Sequence, residues 1–464
     1  MSQANRTAAH DAPTRGNRLP LGGLLMFSGG SLAMGAWVTV PGLLLLYFLT
    51  DVLAVDPALA GLVLLLPKIA DVLLHPWVGR LSDADLARRG HRRLLMAAAC
   101  ALPVAFALLF APPGGVTGPA AAAWVAVAFV CGNLLFALYQ VPYLAAPADL
   151  GIGYAERTRL MGFRMVVLTA GILVCGLVAP LITGQDDPTR GGYVRMGVML
   201  GLGMLATMAL GIRGVRRLTA AVPAPVPAAR PGGLGALRGA LRDRQFRVLT
   251  GSYLAMSTTS HLVLAAVPYY AEYELGRPRL TTVLVAAFVA PALVATPAWV
   301  AAARRFGKQP LLLLAQGVFT LGSLALAVGR PLGLPALVGA VAVLGIAFAA
   351  MQLLPFSMMP DVIEASGATS TAGAYTGVWT AAEATGAALG PYLYAGLLAL
   401  SGFTASVAGQ AVTQPGTALT ALRLGFGLLP AALMLLALLV QRRYTLDRRL
   451  RVAEASKHLA HDAS

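Results

Sequence analysis

Twelve apolar runs recur along this chain, at approximately 21–49, 57–79, 94–111, 119–146, 160–183, 194–213, 247–270, 280–302, 309–329, 333–358, 372–399 and 418–440. A hydrocarbon core about 30 Å thick is crossed by roughly 20 apolar residues in a helix. Lipid offers no hydrogen-bond partners, so a spanning segment must satisfy its own backbone. Repeated runs of this length predict an all-α integral membrane protein with twelve transmembrane helices, and a chain that is 58% hydrophobic and only 12% charged agrees.

A formal net charge of +16 raises the question of nucleic acid. The distribution answers it. Of the 35 Lys and Arg, 27 fall in the tails and in alternate loops on one side of the predicted membrane, and six on the other. Short loops that stay in the cytoplasm retain Lys and Arg, so the asymmetry predicts cytoplasmic termini and a multi-pass protein of the cell's inner (plasma) membrane. The arginines are dispersed and lack interleaved aromatics, which argues against a nucleic-acid partner. Cys100, Cys131 and Cys175 all lie in apolar spans and suggest neither a disulfide framework nor a metal site.

Residues 214–246 contain AAVPAPVPAARPGG, a Pro/Ala/Gly stretch with little to bury, expected to act as a linker. The expected organisation is a tail at 1–20, a six-helix bundle at 21–213, the linker at 214–246, a second bundle at 247–441 and a tail at 442–464. ARRGHRRLL after the second span and ARRFGKQPLLL after the eighth occupy the same place in each half. This duplicated plan resembles the major facilitator superfamily, in which the substrate site lies between the halves near the midplane.

Several motifs narrow the resemblance. Asp71, His75-Pro76, Gly79, Ser82-Asp83 and Gly90-His91-Arg92-Arg93 follow one another on and after the second span. Pro142-Tyr143, Asp149 and Tyr154 to Leu160 follow the fourth. Pro268, Tyr269, Tyr270, Tyr273, Leu275 and Gly276 close the seventh, and Ser357 to Ile363 and Ala374 to Thr380 lie in the tenth and eleventh. Together they resemble the glycoside–pentoside–hexuronide:cation symporter family, typified by melibiose permease. The resemblance implies a secondary active symporter of a small polar solute, working as a monomer in the lipid bilayer by alternating access, with a coupling cation and no cofactor.

Lys68, Asp71 and His75 are spaced three and four apart and so share one helical face near mid-membrane. An ionised group there costs roughly 2.5–3.5 kcal/mol on insertion scales unless it pairs or meets water. Neutralised packing and an ion site both satisfy that demand. In the family the residue at His75 is a second sodium-binding carboxylate. An imidazole is a poor sodium ligand and titrates near neutral pH, so Asp71 and His75, with Lys68, point to H+ rather than Na+. Glu383, mid-span on the eleventh helix, is a further coupling candidate, and no metal site is expected.

For substrate, the resemblance supplies Gln140, Tyr143 and Arg164. His261 beside Ser257 to Ser260, and Trp37 and Trp379 within spans, add polar and aromatic candidates; His261 could equally pair with Glu383 or be a core residue. Sugar-binding relatives carry carboxylates where this chain has Gly35 and Gln140, so the galactoside pattern is missing. Asp83, Arg92, Arg93, Glu156, Arg157, Arg159 and Asp361 sit at cytoplasmic helix ends and are expected to form a gate of ion pairs between the halves.

Glycines at 171, 176, 386 and 390 leave open a second reading, proton-coupled efflux of an amphipathic compound, and close helix packing explains them equally well. Lipid or lysolipid transport is a third. No Ser/His/Asp set, metal-ligand spacing or phosphate loop is present in the sequence, which argues against an enzyme.

Overall fold

A computed structural model describes residues 19–89, 96–97, 99–148, 150, 154–184, 189–219, 234–366, 372–407 and 412–449. The side chains of Lys68, Asp71, His75, Asp83, Glu156 and Arg157 lie outside the described residues, as do Arg92 and Arg93 entirely. Among the described residues, thirteen α-helices follow in chain order: α1 Leu21–Val40, α2 Pro57–Arg89, α3 Leu102–Leu109, α4 Gly118–Ala145, α5 Tyr154–Thr183, α6 Arg190–Thr219, α7 Leu234–Arg242, α8 Arg244–Tyr269, α9 Leu280–Phe306, α10 Lys308–Leu326, α11 Leu334–Ala365, α12 Ala372–Leu400 and α13 Gly416–Gln441. Helix α7 lies inside the expected linker; the other twelve correspond to the predicted spans. The described residues are all-α, with eight helices long and apolar enough to cross a membrane.

Local chemistry sets several boundaries. Asp56 accepts hydrogen bonds from the backbone N–H groups of Ala58 and Leu59 at the start of α2, and Asp243 does the same for Gln245 and Phe246 at the start of α8; each satisfies donors that a helix start leaves free. Arg88 and Arg89 stand in the last turn of α2, where cations meet the negative end of the helix dipole. That helix runs ten residues past the apolar span predicted at 57–79.

Eight helices are apolar enough throughout to be recognised as spans by composition. Of the others, α3 is short, and α2, α8 and α12 hold the polar candidates Lys68, Asp71, His75, His261 and Glu383. Ionisable groups inside a membrane are confined to bundle interiors and water-filled gaps.

The packing repeats between halves. Helix α1 packs on α5 and α6 as α8 packs on α12 and α13; α2 packs on α4 as α9 packs on α11; and α3 packs on α6 as α10 packs on α13. Contacts between the halves follow the same rule, with α2 against α12 and α5 against α9. Small residues permit the close approaches. A Cβ on Gly35 of α1 would lie 2.9 Å from the backbone of Gly171 in α5, and one on Gly390 of α12 would lie 2.5 Å from the amide nitrogen of Leu262 in α8. Close helix packing accounts for these glycines directly.

The leading helix of each half ends alike. Helix α1 passes into π-turns at Pro41–Leu45 and Phe48–Val52, and α8 passes into one at Tyr270–Glu274. Both endings lie at the end of the bundle remote from the described termini, the distal end, and there they meet.

Candidate functional site

The candidate residues separate into three groups. In the first half, Arg164 of α5 is buried, with 8% of its surface exposed, and its guanidinium lies 6.0 Å from the Tyr143 ring centre. Its other neighbours are the sulfurs of Met165 and Met34, at 3.6 and 3.9 Å. No carboxylate among the described side chains pairs with it, and its burial is unlike that of a snorkelling arginine, whose head stays in water. Tyr143 is fully buried, hydrogen-bonded to Ser31 and to the Phe27 carbonyl, and stacked on Phe27. It supports Arg164 from behind. Gln140, one turn earlier on α4, is half-buried and partnered.

In the second half, Glu383 of α12 is half-buried and hydrogen-bonded to the Tyr253 hydroxyl, while Ser257 Oγ donates to the Glu383 backbone carbonyl at 3.0 Å. The Trp379 ring lies 4.1 Å from the Tyr253 ring, nearly parallel, with Phe356 edge-on. His261 places Nδ1 2.9 Å from the Ser257 carbonyl, one turn back on its own helix. Glu383, Ser257 and His261 therefore share one neighbourhood between α8 and α12.

The two tryptophan candidates are packing residues. Trp37 is 2% exposed and sits among Phe106, Phe129 and Phe136 inside the first bundle; Trp379 is equally buried. Neither presents a ring face to a gap. The expected gate is also corrected at one position. Asp361 bonds Lys308 at 2.5 Å, and Lys308 also donates to the Ser357 carbonyl. Both partners belong to the second half, so this pair does not bridge the two. Arg159 rests over Phe163 on its own helix, 5.8 Å from the ring centre.

The third group was not anticipated. At the distal end, Tyr273 donates to the Asp51 carboxylate and Tyr47 donates to the Glu272 carboxylate. Each bond crosses from one half to the other, in opposite directions. Thr50 Oγ1 and the Tyr269 hydroxyl lie 2.6 Å apart beside them. The Ser406 backbone completes the clasp, its N–H donating to the Thr50 carbonyl at 2.8 Å and its C=O accepting from Ala54 N–H at 2.9 Å, next to an antiparallel bridge between Leu53 and Val407. Asp51 lies past the Leu21–Leu45 span and is 5% exposed. Burial first, and then the charge of Glu272, push its carboxyl up to about 7, while hydrogen bonds from Thr50 and Tyr273 pull the other way.

A duplicated helical bundle, clasped at one end and carrying ionisable side chains within its spans, has the plan of a secondary transporter. The chain belongs to the MFS/sugar transport protein family, whose sequence profile matches residues 26–448. It is 25% identical to "Uncharacterized symporter sll1374" of Synechocystis sp., over 87% of this chain and 90% of that one. Two Escherichia coli proteins are similar over shorter stretches. One, provisionally named a 2,3-dihydroxypropane-1-sulfonate exporter, is 25% identical over 66% of this chain and 67% of its own length. The other, provisionally named the glycoside/cation symporter YagG, is 26% identical over 52% of each. Among solved structures, a bacterial homologue of the lysosomal transporter Spinster, inward-facing and unoccupied, superposes with a TM-score of 0.70 at 13% identity, covering 92% of this chain and 97% of that one. The nucleoside transporter NupG gives 0.61 at 15%, covering 92% and 100%. The protein is thus a membrane transporter rather than an enzyme, and the family resemblance read from the motifs holds.

Proposed function

We propose that this protein is a proton-coupled symporter of a small polar solute carrying an acidic group, such as a sugar acid, acting by alternating access in the plasma membrane with both termini cytoplasmic. The observation that carries the solute assignment is Arg164: a buried guanidinium with no carboxylate partner among the described side chains, backed by a tyrosine held in place from behind. A planar guanidinium is suited to a carboxylate or sulfonate. Gln140 on α4 and His261 on α8 offer neutral hydrogen-bonding groups from either half. Asp71, His75 and Lys68 on α2, with Glu383 on α12, are the proposed proton carriers. The substitution of an imidazole for the family's second carboxylate supports H+ over Na+.

Efflux is the second reading, favoured by the similarity to the sulfonate exporter. It uses the same cationic residue and differs in direction. Proteoliposomes separate these readings: imposed proton and sodium gradients are applied singly, and a panel of glycosides, pentoses, sugar acids and sulfonated diols is screened. Accumulation of an acidic solute driven by a proton gradient supports symport. Counterflow of solute against inward proton movement supports efflux. Uptake that needs sodium and ignores pH rejects proton coupling, as does undiminished uphill uptake by Asp71→Asn.

A further inference from the structure

Asp51 and Glu272 oppose each other across the distal seam, far along the helices from the mid-membrane candidates. The groups around Asp51 that can carry charge come from every neighbouring element: Tyr47 of its own helix, Glu272 and Tyr273 of the α8 π-turn, Tyr269 of α8, Tyr193 of α6 and Tyr394 of α12. All are acids. Arg279 lines a hollow beside Glu272 together with Tyr47, Thr183, Tyr193 and Pro268. The hollow has a volume of about 20 Å³, room for one water beside Glu272.

Closing the seam takes the Asp51 carboxyl out of water into a wall of tyrosine rings and leaves Glu272 half-buried beside it. Two ionised carboxylates there repel each other and forfeit hydration; one proton removes the repulsion and leaves a donor that the other oxygens can accept. Opening the seam returns both groups to water, where each ionises at its ordinary pH. The clasp also holds Ala54 at φ +52°, a left-handed conformation that an alanine adopts only at a cost. The seam is therefore a balanced element, and a change of one charge can tip it.

We propose that Asp51 and Glu272 form a proton-operated latch, in which the distal seam closes around at least one protonated carboxyl and loosens when both are ionised. The latch is separate from the Asp71 and His75 pair. It gives an arriving proton a second task, shutting the side from which it came. The inference rests on the alternating-access reading above, and its test distinguishes the two.

Cys100, Cys131 and Cys175 are exchanged for alanine, and spin labels are attached at Gly114→Cys and Arg277→Cys, exposed loop positions at the distal ends of opposite halves. Pulsed EPR distances are then recorded on the full chain between pH 5.5 and 8.5. The expected result is two distance populations, with the ratio of closed to open rising at least about tenfold as pH falls through 7. Asp51→Asn is expected to stay closed at every pH, Glu272→Gln to flatten the response, and Asp51→Glu to restore it. A ratio that moves less than twofold in the parent, or moves as far in Asp51→Asn as in the parent, overturns the latch while leaving alternating access standing. A single invariant distance under all pH values and solutes overturns both.

Discussion

Tyr273 and Asp51 are separated by 222 residues and belong to opposite halves, yet the tyrosine hydroxyl donates to the carboxylate. That bond favours the ionised form of Asp51 and so opposes burial and the charge of Glu272, which favour the protonated form. The sign follows. A carboxyl raised above its ordinary range in the closed form stabilises closure as pH falls through about 7, and the contribution is lost as pH rises. In Tyr273→Phe the opposing hydrogen bond is gone, so the midpoint should move upward by about one pH unit, the equivalent of roughly 1.4 kcal/mol. Following the closed population against pH in this variant checks the sign; a downward shift would contradict the assignment.

The family resemblance would place a first-helix carboxylate at Gly35, and the packing there leaves no room for one. A Cβ there would stand 2.9 Å from the Gly171 carbonyl carbon and from the Ile172 amide nitrogen, both backbone atoms that cannot rotate away. Gly35→Ala should force α1 and α5 apart and cost about 1–3 kcal/mol. Gly162→Ala, with open space around it, should be neutral or slightly stabilising. Thermal unfolding of the two purified variants makes the comparison, and equal midpoints would show that the α1–α5 contact yields easily.

Much of the architecture was legible in the sequence, because a membrane span is a local property and twelve runs of the right length announce themselves. The helical faces holding Arg164, Glu383 and His261 were legible for the same reason: a polar residue in an apolar run is conspicuous. The distal clasp was not. Asp51 and Glu272 stand at the ends of spans, where a charge normally costs little. The burial of Asp51 arises from Tyr273, Tyr269 and Ser406, all of which are distant in sequence. The π-turns that aim these side chains leave no trace in hydrophobic periodicity. A usable signal was the recurrence of tyrosine and acid at the end of the first helix of each half, Tyr47 with Asp51 and Tyr269 with Glu272. Trp37 and Trp379 erred the other way, since an aromatic in a span looks the same whether it faces a gap or a core.

Lys308 and Asp361 retain 30% and 28% of their side-chain exposure and both lie in the second half. A pair this wet is screened, and its contribution should be under about 1 kcal/mol. Asp361→Asn should therefore lower the unfolding midpoint only slightly and leave the balance between the two transport conformations unchanged. Spin labels spanning the halves at the end near the termini would record that balance. A population change of several-fold would reinstate Asp361 as part of a gate.

Arg164 tests the solute reading, because stability and recognition should respond in opposite directions. A buried guanidinium with no carboxylate partner among the described side chains costs solvation energy that its aromatic and sulfur neighbours only partly return. Replacing it with methionine, similar in length and apolar, should leave stability unchanged or raise it by about 1 kcal/mol, as happens when buried charges give way to packed side chains. The same variant loses the group proposed to bind the acidic end of the solute. A hydrogen-bonded charge pair truncated on one side typically loses 2–5 kcal/mol, so affinity for a sugar acid or sulfonate should fall by at least about thirtyfold. Affinity for a neutral polyol, if one is carried, should change little. Arg164→Lys keeps the charge and loses the planar fork, and should recover only part of the binding. Scintillation proximity binding on the purified variants reads these affinities apart from coupling. Full binding of an acidic solute by Arg164→Met would remove the arginine from the site and leave it a structural charge whose partner lies elsewhere.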